Sequence, residues 1–403
     1  LSVYKMIIMN FFKNVFATVV GIFLFMLLSF FLLIGLGVLL GSGEDKVKLK
    51  DNSVIQLDLA KINFDYAGKY ETDSPFSSLM MSKDKVGFIE VLKAIDAAKT
   101  DDKIKGITLV NNQSSLGLAQ SKELRDKLED FKKSKKFVYA YANIFSQKEY
   151  YISSIADKVY LNPAGEVDFK GLGTEMLFFK NFQDQTGLKM EIIRHGKFKS
   201  AVEPYLAQEI SPENREQVTV LLQSVWKTIV TDIAKNRNIS VAQLNTIADG
   251  LLARTPQMAL QQKLVDKVAY VDEFDAMLKS KLKVEKDEDV ESISIADYVN
   301  HSSSKSEDII AVIYAQGQIN GGEGDVDYIG EGSINRSLKE AREDDDVKAI
   351  VLRVDSPGGS ALVSELIWRE IELTKKVKPV VVSMGNLAAS GGYYIACNAN
   401  TIF

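Results

Sequence analysis

Asp346-Val347-Lys348-Ala349-Ile350-Val351-Leu352 reads as a charged turn leading into a buried β-strand, and the chain carries a version of it earlier, as Lys103-Ile104-Lys105-Gly106-Ile107-Thr108-Leu109. The two are offset by 243 residues, position 103 standing against 346. The same offset sets Tyr150-Tyr151-Ile152 against Tyr393-Tyr394-Ile395 and Asn143 against Asn386, and with a one-residue slip it sets Glu123-Leu124 against Glu365-Leu366. Chance can produce one such match. Several in order at nearly one spacing point to an internal duplication.

Each copy reads as strand, loop, amphipathic helix, strand, helix. In the second, Ile309 to Tyr314 is a strand candidate and Ile334 to Glu343 a helix. Ala349 to Val354 is an apolar strand, closed by the turn Ser356-Pro357-Gly358-Gly359. Leu362 to Lys375 has helical apolar spacing, and Val380 to Met384 is a further buried strand. Strands alternating with helices predict an α/β fold with parallel sheets. Between the copies lies a helical block. Ser211-Pro212-Glu213 starts a helix, with Ser as cap and Pro in the first turn, and Ser240 and Thr255-Pro256 start two more. Val218, Leu221, Leu222, Val225, Ile229 and Ile233 form one apolar face of the first of these helices. The charged run Lys281 to Glu291 and the serines at 302–304, beside His301, read as a solvated connector.

The expected boundaries are an N-terminal tail over 1–14, cytoplasmic by the family resemblance given below, and a membrane anchor over 15–41. The first copy with its helical block takes 50–290, a linker 291–306, and the second copy 307–403. The second copy lacks a counterpart of the helical block before the chain stops at Phe403, so a C-terminally shortened piece of a longer protein is expected. The polar loops from Tyr66 to Val86 and from Gly321 to Gly332 read as mobile, with substrate or membrane contact as the alternative.

No charged residue occurs from Asn14 to Gly43, and Val15 to Leu40 is rich in Val, Ile, Leu, Phe and Met. A spanning helix needs about 20 apolar residues. A cleaved signal peptide has only about 7–15, so a retained anchor is expected. Lys5 and Lys13 before the run and Lys46, Lys48 and Lys50 after it leave its orientation open. The chain opens on Leu1, and Met9 is a plausible start.

With 403 residues, 46% of them hydrophobic and 26% charged, the chain can build a sizeable core. A net charge of −5 without a basic stripe gives no sign of a nucleic-acid partner. The single cysteine, Cys397, excludes an intrachain disulfide and reads as packing. Two distant histidines, His195 and His301, give no metal spacing, and no Gly-x4-Gly-Lys-[Ser/Thr] loop occurs, so neither metal nor nucleotide cofactor is expected. His195 reads as structural. With so few imidazoles, a serine hydrolase built here would turn to lysine for its base.

Three local features carry chemistry, each with an ordinary alternative. Ser356-Pro357-Gly358-Gly359 follows a buried strand. Its glycines let backbone N–H groups approach a ligand as an oxyanion hole requires, or they simply make a tight turn. Ala388-Ala389-Ser390-Gly391-Gly392 follows the next strand and opens a helix. It would expose a serine hydroxyl at a nucleophile elbow, or pack a helix start closely. Gly196-Lys197-Phe198-Lys199-Ser200-Ala201-Val202-Glu203-Pro204 offers lysines that are ordinarily solvated. As a base, one of them would need burial to become the neutral amine. The duplication sharpens the choice. The first copy has Gln147 opposite Ser390 and Gln113-Ser114-Ser115 opposite Ser356-Pro357-Gly358, and a purely structural turn would be expected in both copies.

The stretches Phe198 to Pro204, Arg353 to Ser360 and Ser383 to Tyr394, taken in this order, resemble the signal peptide peptidase A (protease IV) family in its long two-domain type. The resemblance runs from the anchor to Phe403. It implies tandem Clp protease/crotonase-like domains and a Ser–Lys dyad of Ser390 as nucleophile and Lys199 as general base. Backbone N–H groups near Gly358, Gly359 and Gly391 would form the oxyanion hole. It further implies a homo-oligomer, a tetrameric dome on the bacterial inner membrane with its catalytic part on the periplasmic side. The substrates would be signal peptides left in the membrane, and no cofactor is required. The hydroxyl that orients the lysine in such enzymes would lie beyond Phe403. Two alternatives stay open: a crotonase-like acyl-CoA enzyme, and an inactive membrane scaffold of the same fold.

Overall fold

The computed structural model describes residues 2–41, 49–62, 65–66, 86–111, 113–299 and 308–403. Most of the 66–86 loop, together with His301 and the serines at 302–304, falls outside the described residues. The chain forms two compact units, 1–48 and 49–403.

In the first unit a single helix, α1, runs Ser2–Gly41. Within it, Met9–Gly35 is long and apolar enough to cross a membrane. The tail expected over 1–14 is helical in continuity with it, since no proline or glycine interrupts Ser2 to Lys13.

The second unit begins β1 (Ser53–Gln56), α2 (Phe88–Ala98), β2 (Ile104–Val110), α3 (Leu118–Lys132), β3 (Phe137–Phe145), α4 (Gln147–Ser153) and β4 (Lys158–Val167). A helical block follows: α5 (Lys180–Thr186), α6 (Pro212–Arg237), α7 (Val241–Asp249) and α8 (Pro256–Gln261), then β5 (Lys267–Val268) and α9 (Val271–Leu282). Next come β6 (Ser292–Ser294) and α10 (Ile295–Val299). The second copy comprises β7 (Ile309–Gln316), β8 (Gln318–Ile319), β9 (Tyr328–Ile329), α11 (Glu331–Glu343), β10 (Val347–Ser356), α12 (Ala361–Thr374), β11 (Val380–Ala388), α13 (Gly391–Ala396) and β12 (Thr401–Ile402).

Six parallel strands in the order β5-β4-β3-β2-β1-β6 form one sheet, and four in the order β12-β11-β10-β7 form the other. The order β4-β3-β2-β1 is repeated as β12-β11-β10-β7, so the sequence offset reappears as one topology built twice. The expected α/β class with parallel sheets is the class observed. In β3 residues 137–142 are buried on both faces, as in parallel strands covered by helices, whereas β10 and β11 bury one face more fully than the other. Val138, Ala140, Val159, Ile350, Leu352 and Val382 are fully buried.

Two expectations change. Part of the stretch expected as connector is structured, because Ile293 and Ile295 are apolar and buried. They bring β6 alongside β1, where Ile55 pairs with Ile293. On α6, the apolar stripe read from Val218 to Ile233 is fully covered only at its C-terminal end. Ile229 and Ile233 are buried, Val218, Leu222 and Val225 are half-buried, and Leu221 is exposed. The three helix starts are capped as their residue types dictate. The hydroxyls of Ser211, Ser240 and Thr255 accept the N–H of Asn214 (3.2 Å), Gln243 (3.1 Å) and Met258 (3.3 Å).

The helical block seals the first copy. Tyr150 Oη donates to Leu264 O (2.8 Å) and Tyr151 Oη to Asp232 of α6 (2.6 Å). The buried Arg125 donates to Asp232 O (2.9 Å) and to Asn236. The counterpart tyrosines of the second copy, Tyr393 and Tyr394, are exposed.

Candidate active site

β10 ends at Ser356, whose buried hydroxyl accepts the N–H of Gly358 (3.1 Å) and whose carbonyl accepts the N–H of Ala389 (3.0 Å). The turn after β10 is thereby tied to the end of β11. Gly358 has φ +92°, and a Cβ there would lie 2.5 Å from Gly391 N and 2.8 Å from Ser390 Cβ. Only a residue without a side chain can both hold that backbone and rest on the serine. On its other side the turn is pinned to β8: Ile319 N donates to Gly358 O and Ser360 N to Ile319 O, both at 2.9 Å.

Ser390 stands between β11 and α13 with φ 52° and ψ −119°, outside the regions an L-residue favours, and it is exposed. Holding a non-glycine residue in such a conformation costs on the order of 1–3 kcal/mol. The surrounding close packing maintains it: a Cβ on Gly391 would lie 2.6 Å from Ser364 Oγ. The Ser390 hydroxyl has no hydrogen-bond partner among the described residues.

Of the backbone donors around it, the N–H groups of Gly358 and Gly392 are occupied, the latter by Ala389 O (2.9 Å). The N–H groups of Gly359 and Gly391 donate to nothing among the described residues. They are close neighbours, since a Cβ on Gly391 would approach Gly359 N to 3.3 Å. Of the three glycines expected at an oxyanion hole, Gly358 therefore serves as the fitted turn, because its N–H is already donated to Ser356.

The first copy is built differently at the same place. A cavity of about 770 Å³ lies there, lined by Asn111, Gln113, Ser114, Ser115, Asn143 and Glu149 among others. The Glu149 carboxylate accepts the N–H of Ser114 (3.1 Å) and of Ser146 (3.0 Å), so a side-chain charge ties the turn after β2 to the start of α4. Gln147, opposite Ser390 in the duplication, accepts from Lys170 N (3.0 Å) and Gly171 N (2.9 Å).

Lys199 lies in the segment between α5 and α6. Gln217 of α6 donates to Phe198 O (2.9 Å), and Arg194 donates to Lys199 O (3.4 Å). The buried Glu203 fastens this segment to the start of α6 by accepting from Ser211 N (2.9 Å) and from Asn214 Nδ2. Burial pushes the Glu203 carboxyl up, but the hydrogen bonds from Ser211 and Asn214 together outweigh it and hold the group below the usual glutamate range. Lys199 itself is exposed, and its amine has neither an ion pair nor a hydrogen bond among the described residues. Within one chain no hydrogen bond joins Lys199 to Ser390 among the described residues. His195, nearby, is exposed as well.

Sequence reading assigned no role to the polar network beneath the serine. The Asp355 carboxylate accepts the N–H of Leu387 and Asn386 Nδ2, both at 3.0 Å, bracing a bulge where β11 shifts register against β10. Burial raises the Asp355 carboxyl, against the pull of its bonds to Asn386. Arg353, also buried, donates to Asp65 (2.6 Å), Glu123 (2.7 Å) and Ser383 (2.8 Å). Burial alone would lower the Arg353 guanidinium, but the two carboxylates more than offset it and keep it charged. The available signals were the recurrence of Asn143 as Asn386 and the charged Arg353 and Asp355 inside an otherwise apolar strand.

The chain matches the model of peptidase family S49 over residues 130–285 and 372–403, segments that contain Lys199 and Ser390 respectively. It also aligns with curated S49-type relatives over most of its length. Protease 4 of Haemophilus influenzae is 37% identical over 332 residues, covering 79% of this chain and 54% of that protein. The chain belongs to peptidase family S49. Protease 4 of Salmonella typhi is 37% identical over 78% of the chain and 52% of its own length. The chloroplastic serine protease SPPA of Arabidopsis thaliana is 34% identical over 76% and 46%. The S49 chain thus spans about half the length of these relatives. Among solved structures, a mutant of the 1510-N membrane-bound stomatin-specific protease matches at 10% identity, over 60% of this chain and 97% of that one, with a TM-score of 0.31. An overlap that loose carries no argument about the site.

Proposed function

We propose that the protein is a membrane-anchored serine endopeptidase in which Ser390 is the nucleophile and Lys199 the general base. The observation that carries this reading is the exposed serine, held in a strained strand-to-helix turn beside two N–H groups without partners among the described residues. In the proposed reaction the neutral Lys199 amine takes the proton of the Ser390 hydroxyl as Oγ attacks the peptide carbonyl. The N–H groups of Gly359 and Gly391 hold the oxyanion, and the lysine then hands the proton to the leaving amine. A water, deprotonated by the same lysine, releases the acyl group and restores the serine.

For its amine to be neutral, Lys199 must leave water. The segment that carries it supplies the means for association: Leu188, Ile193 and Phe198 are exposed on it, as are Leu177 before α5 and Leu221 of α6. Patches of this kind mark protein contacts. Self-association, of which a tetramer is the form proposed, would cover them and desolvate Lys199 beside a serine. Together with the apolar span Met9–Gly35, this favours peptides left in a membrane, such as signal-peptide remnants, as substrates. The proposed site of action is the periplasmic face of a bacterial inner membrane.

The test is covalent labelling of the full chain in detergent with a fluorophosphonate, followed by peptide mapping. Adduct at Ser390, none in Ser390→Ala, and a rate lowered about 10²–10⁴-fold in Lys199→Ala are expected. Labelling of Lys199→Ala at the parent rate would remove the lysine from the mechanism.

A further inference from the structure

The recurring asparagine that the duplication exposed does different work in its two copies. In the first, Asn143 stays within its own sheet: its N–H donates to Asn111 Oδ1 (2.7 Å) and its Oδ1 accepts from Asn162 (3.0 Å). In the second, Asn386 crosses to the other copy. Its Nδ2 donates to Gln120 Oε1 (2.9 Å) and its Oδ1 accepts the N–H of Gln120 (3.3 Å), at the first turn of α3. The same Nδ2 donates to Asp355 (3.0 Å). Gln120 is buried and also donates to Asp65 (2.8 Å), the partner of Arg353.

We propose that this reciprocal amide pair, Gln120 with Asn386, is a latch through which the first copy sets the geometry of the Ser390 elbow, making both side chains positioning residues. The inference rests on the reading of Ser390 as nucleophile. Asn386 stands in the β11 bulge between Met384 and Ala388, directly before the elbow. Asp355, which braces that bulge, directly precedes Ser356, where the oxyanion turn begins. The latch therefore acts on the one carboxylate that joins the two strand ends carrying the nucleophile and the oxyanion donors. Asn386 is held at its donor by the Gln120 side chain and at its acceptor by the Gln120 backbone N–H, which fixes its position more tightly than one hydrogen bond does.

Gly117 allows a clean perturbation. It caps α3 with φ −74° and ψ −180°, a backbone that alanine accepts. A Cβ there would nevertheless lie 2.1 Å from Asn386 Cγ. Gly117→Ala would displace Asn386 while leaving every residue of the second copy unchanged.

The experiment measures fluorophosphonate labelling of the full chain in detergent at a temperature where circular dichroism shows each variant folded. Maximal rate and half-saturating concentration are separated. Gly117→Ala and Asn386→Ala are each expected to lower the maximal rate by up to about 10²-fold, the cost of misplacing a reacting group by roughly 1 Å. The half-saturating concentration should not change. The double variant should be no slower than Asn386→Ala alone, because the side chain that the new Cβ would strike is gone. If Gly117→Ala does not fold, Gln120→Ala, which only removes atoms, carries the same expectation of a slower maximal rate. Parent rates in the folded single variants, or losses that multiply in the double, would overturn the latch. If the parent chain takes no label at Ser390, the nucleophile reading fails first and the latch falls with it, a result distinct from labelling that is indifferent to Asn386.

Discussion

Replacing Arg353 by Met should destabilise the second unit by about 3–5 kcal/mol, the usual cost of removing one partner from a buried ion pair. The Arg353 side chain is 4% exposed and that of Asp65 1%, at 2.6 Å. Glu123, the other carboxylate, is 33% exposed. When the guanidinium goes, Glu123 can turn to water at little cost, as surface charges do. Asp65 cannot, and among the described residues its carboxylate keeps only the Gln120 amide at 2.8 Å. Nearly all the loss should therefore come from one stranded carboxylate. Adding Asp65→Asn to Arg353→Met should restore more than half of it, because an uncharged amide is far cheaper to bury than a carboxylate. The assay is urea unfolding of the full chain in detergent, followed by tryptophan fluorescence. The chain has two tryptophans, Trp226 on α6 and Trp368 on α12, one for each copy. Since Arg353 on β10 bridges to residues of the first copy, the two signals should separate in Arg353→Met. A loss under about 1 kcal/mol, or a double variant less stable than the single, would refute the assignment of the cost to Asp65.

Ser390→Gly should raise stability by about 1 kcal/mol while abolishing labelling, because glycine accepts φ 52°, ψ −119° without the strain serine bears there; unchanged or lower stability in urea would contradict this. The Glu203 carboxyl, held low in the fold, stabilises the Lys199-bearing segment fully above the ordinary glutamate pKa of about 4.3. That contribution is lost as pH falls through the lower folded value. Proteolytic nicking between α5 and α6 should accordingly rise at acid pH. Glu203→Gln, which cannot accept from both Ser211 and Asn214 as the carboxylate does, should be nicked faster already at neutral pH.

Local patterning made much of the architecture readable. Strand candidates such as Val380–Met384 and caps such as Ser211, Ser240 and Thr255 announce themselves through residue type and spacing, because the forces involved act within a few residues. The serine elbow and its glycine turn were legible for the same reason. What escaped was whatever depends on partners hundreds of positions away. Arg353 and Asp65, or Gln120 and Asn386, look like ordinary polar residues until the chain folds. The half-covered stripe of α6 looked uniform in sequence, because periodicity shows that a face is apolar and not what lies against it.

By itself the sequence determined the apolar span at the N-terminus, the duplicated parallel α/β plan, and the candidate pair Ser390 and Lys199. The span follows from composition and the plan from periodicity and the repeat at an offset of 243 residues, whereas the pairing of Ser390 with Lys199 is what the family resemblance implies. Only the tertiary structure decided that, among the described residues, the N–H groups of Gly359 and Gly391 stay open while that of Gly358 is taken, that Glu149 ties the corresponding turn to a helix start in the first copy, and that Lys199 is exposed within one chain. Those outcomes depend on which groups meet across the fold, and hydrogen bonds and burial are settled only where distant segments come into contact.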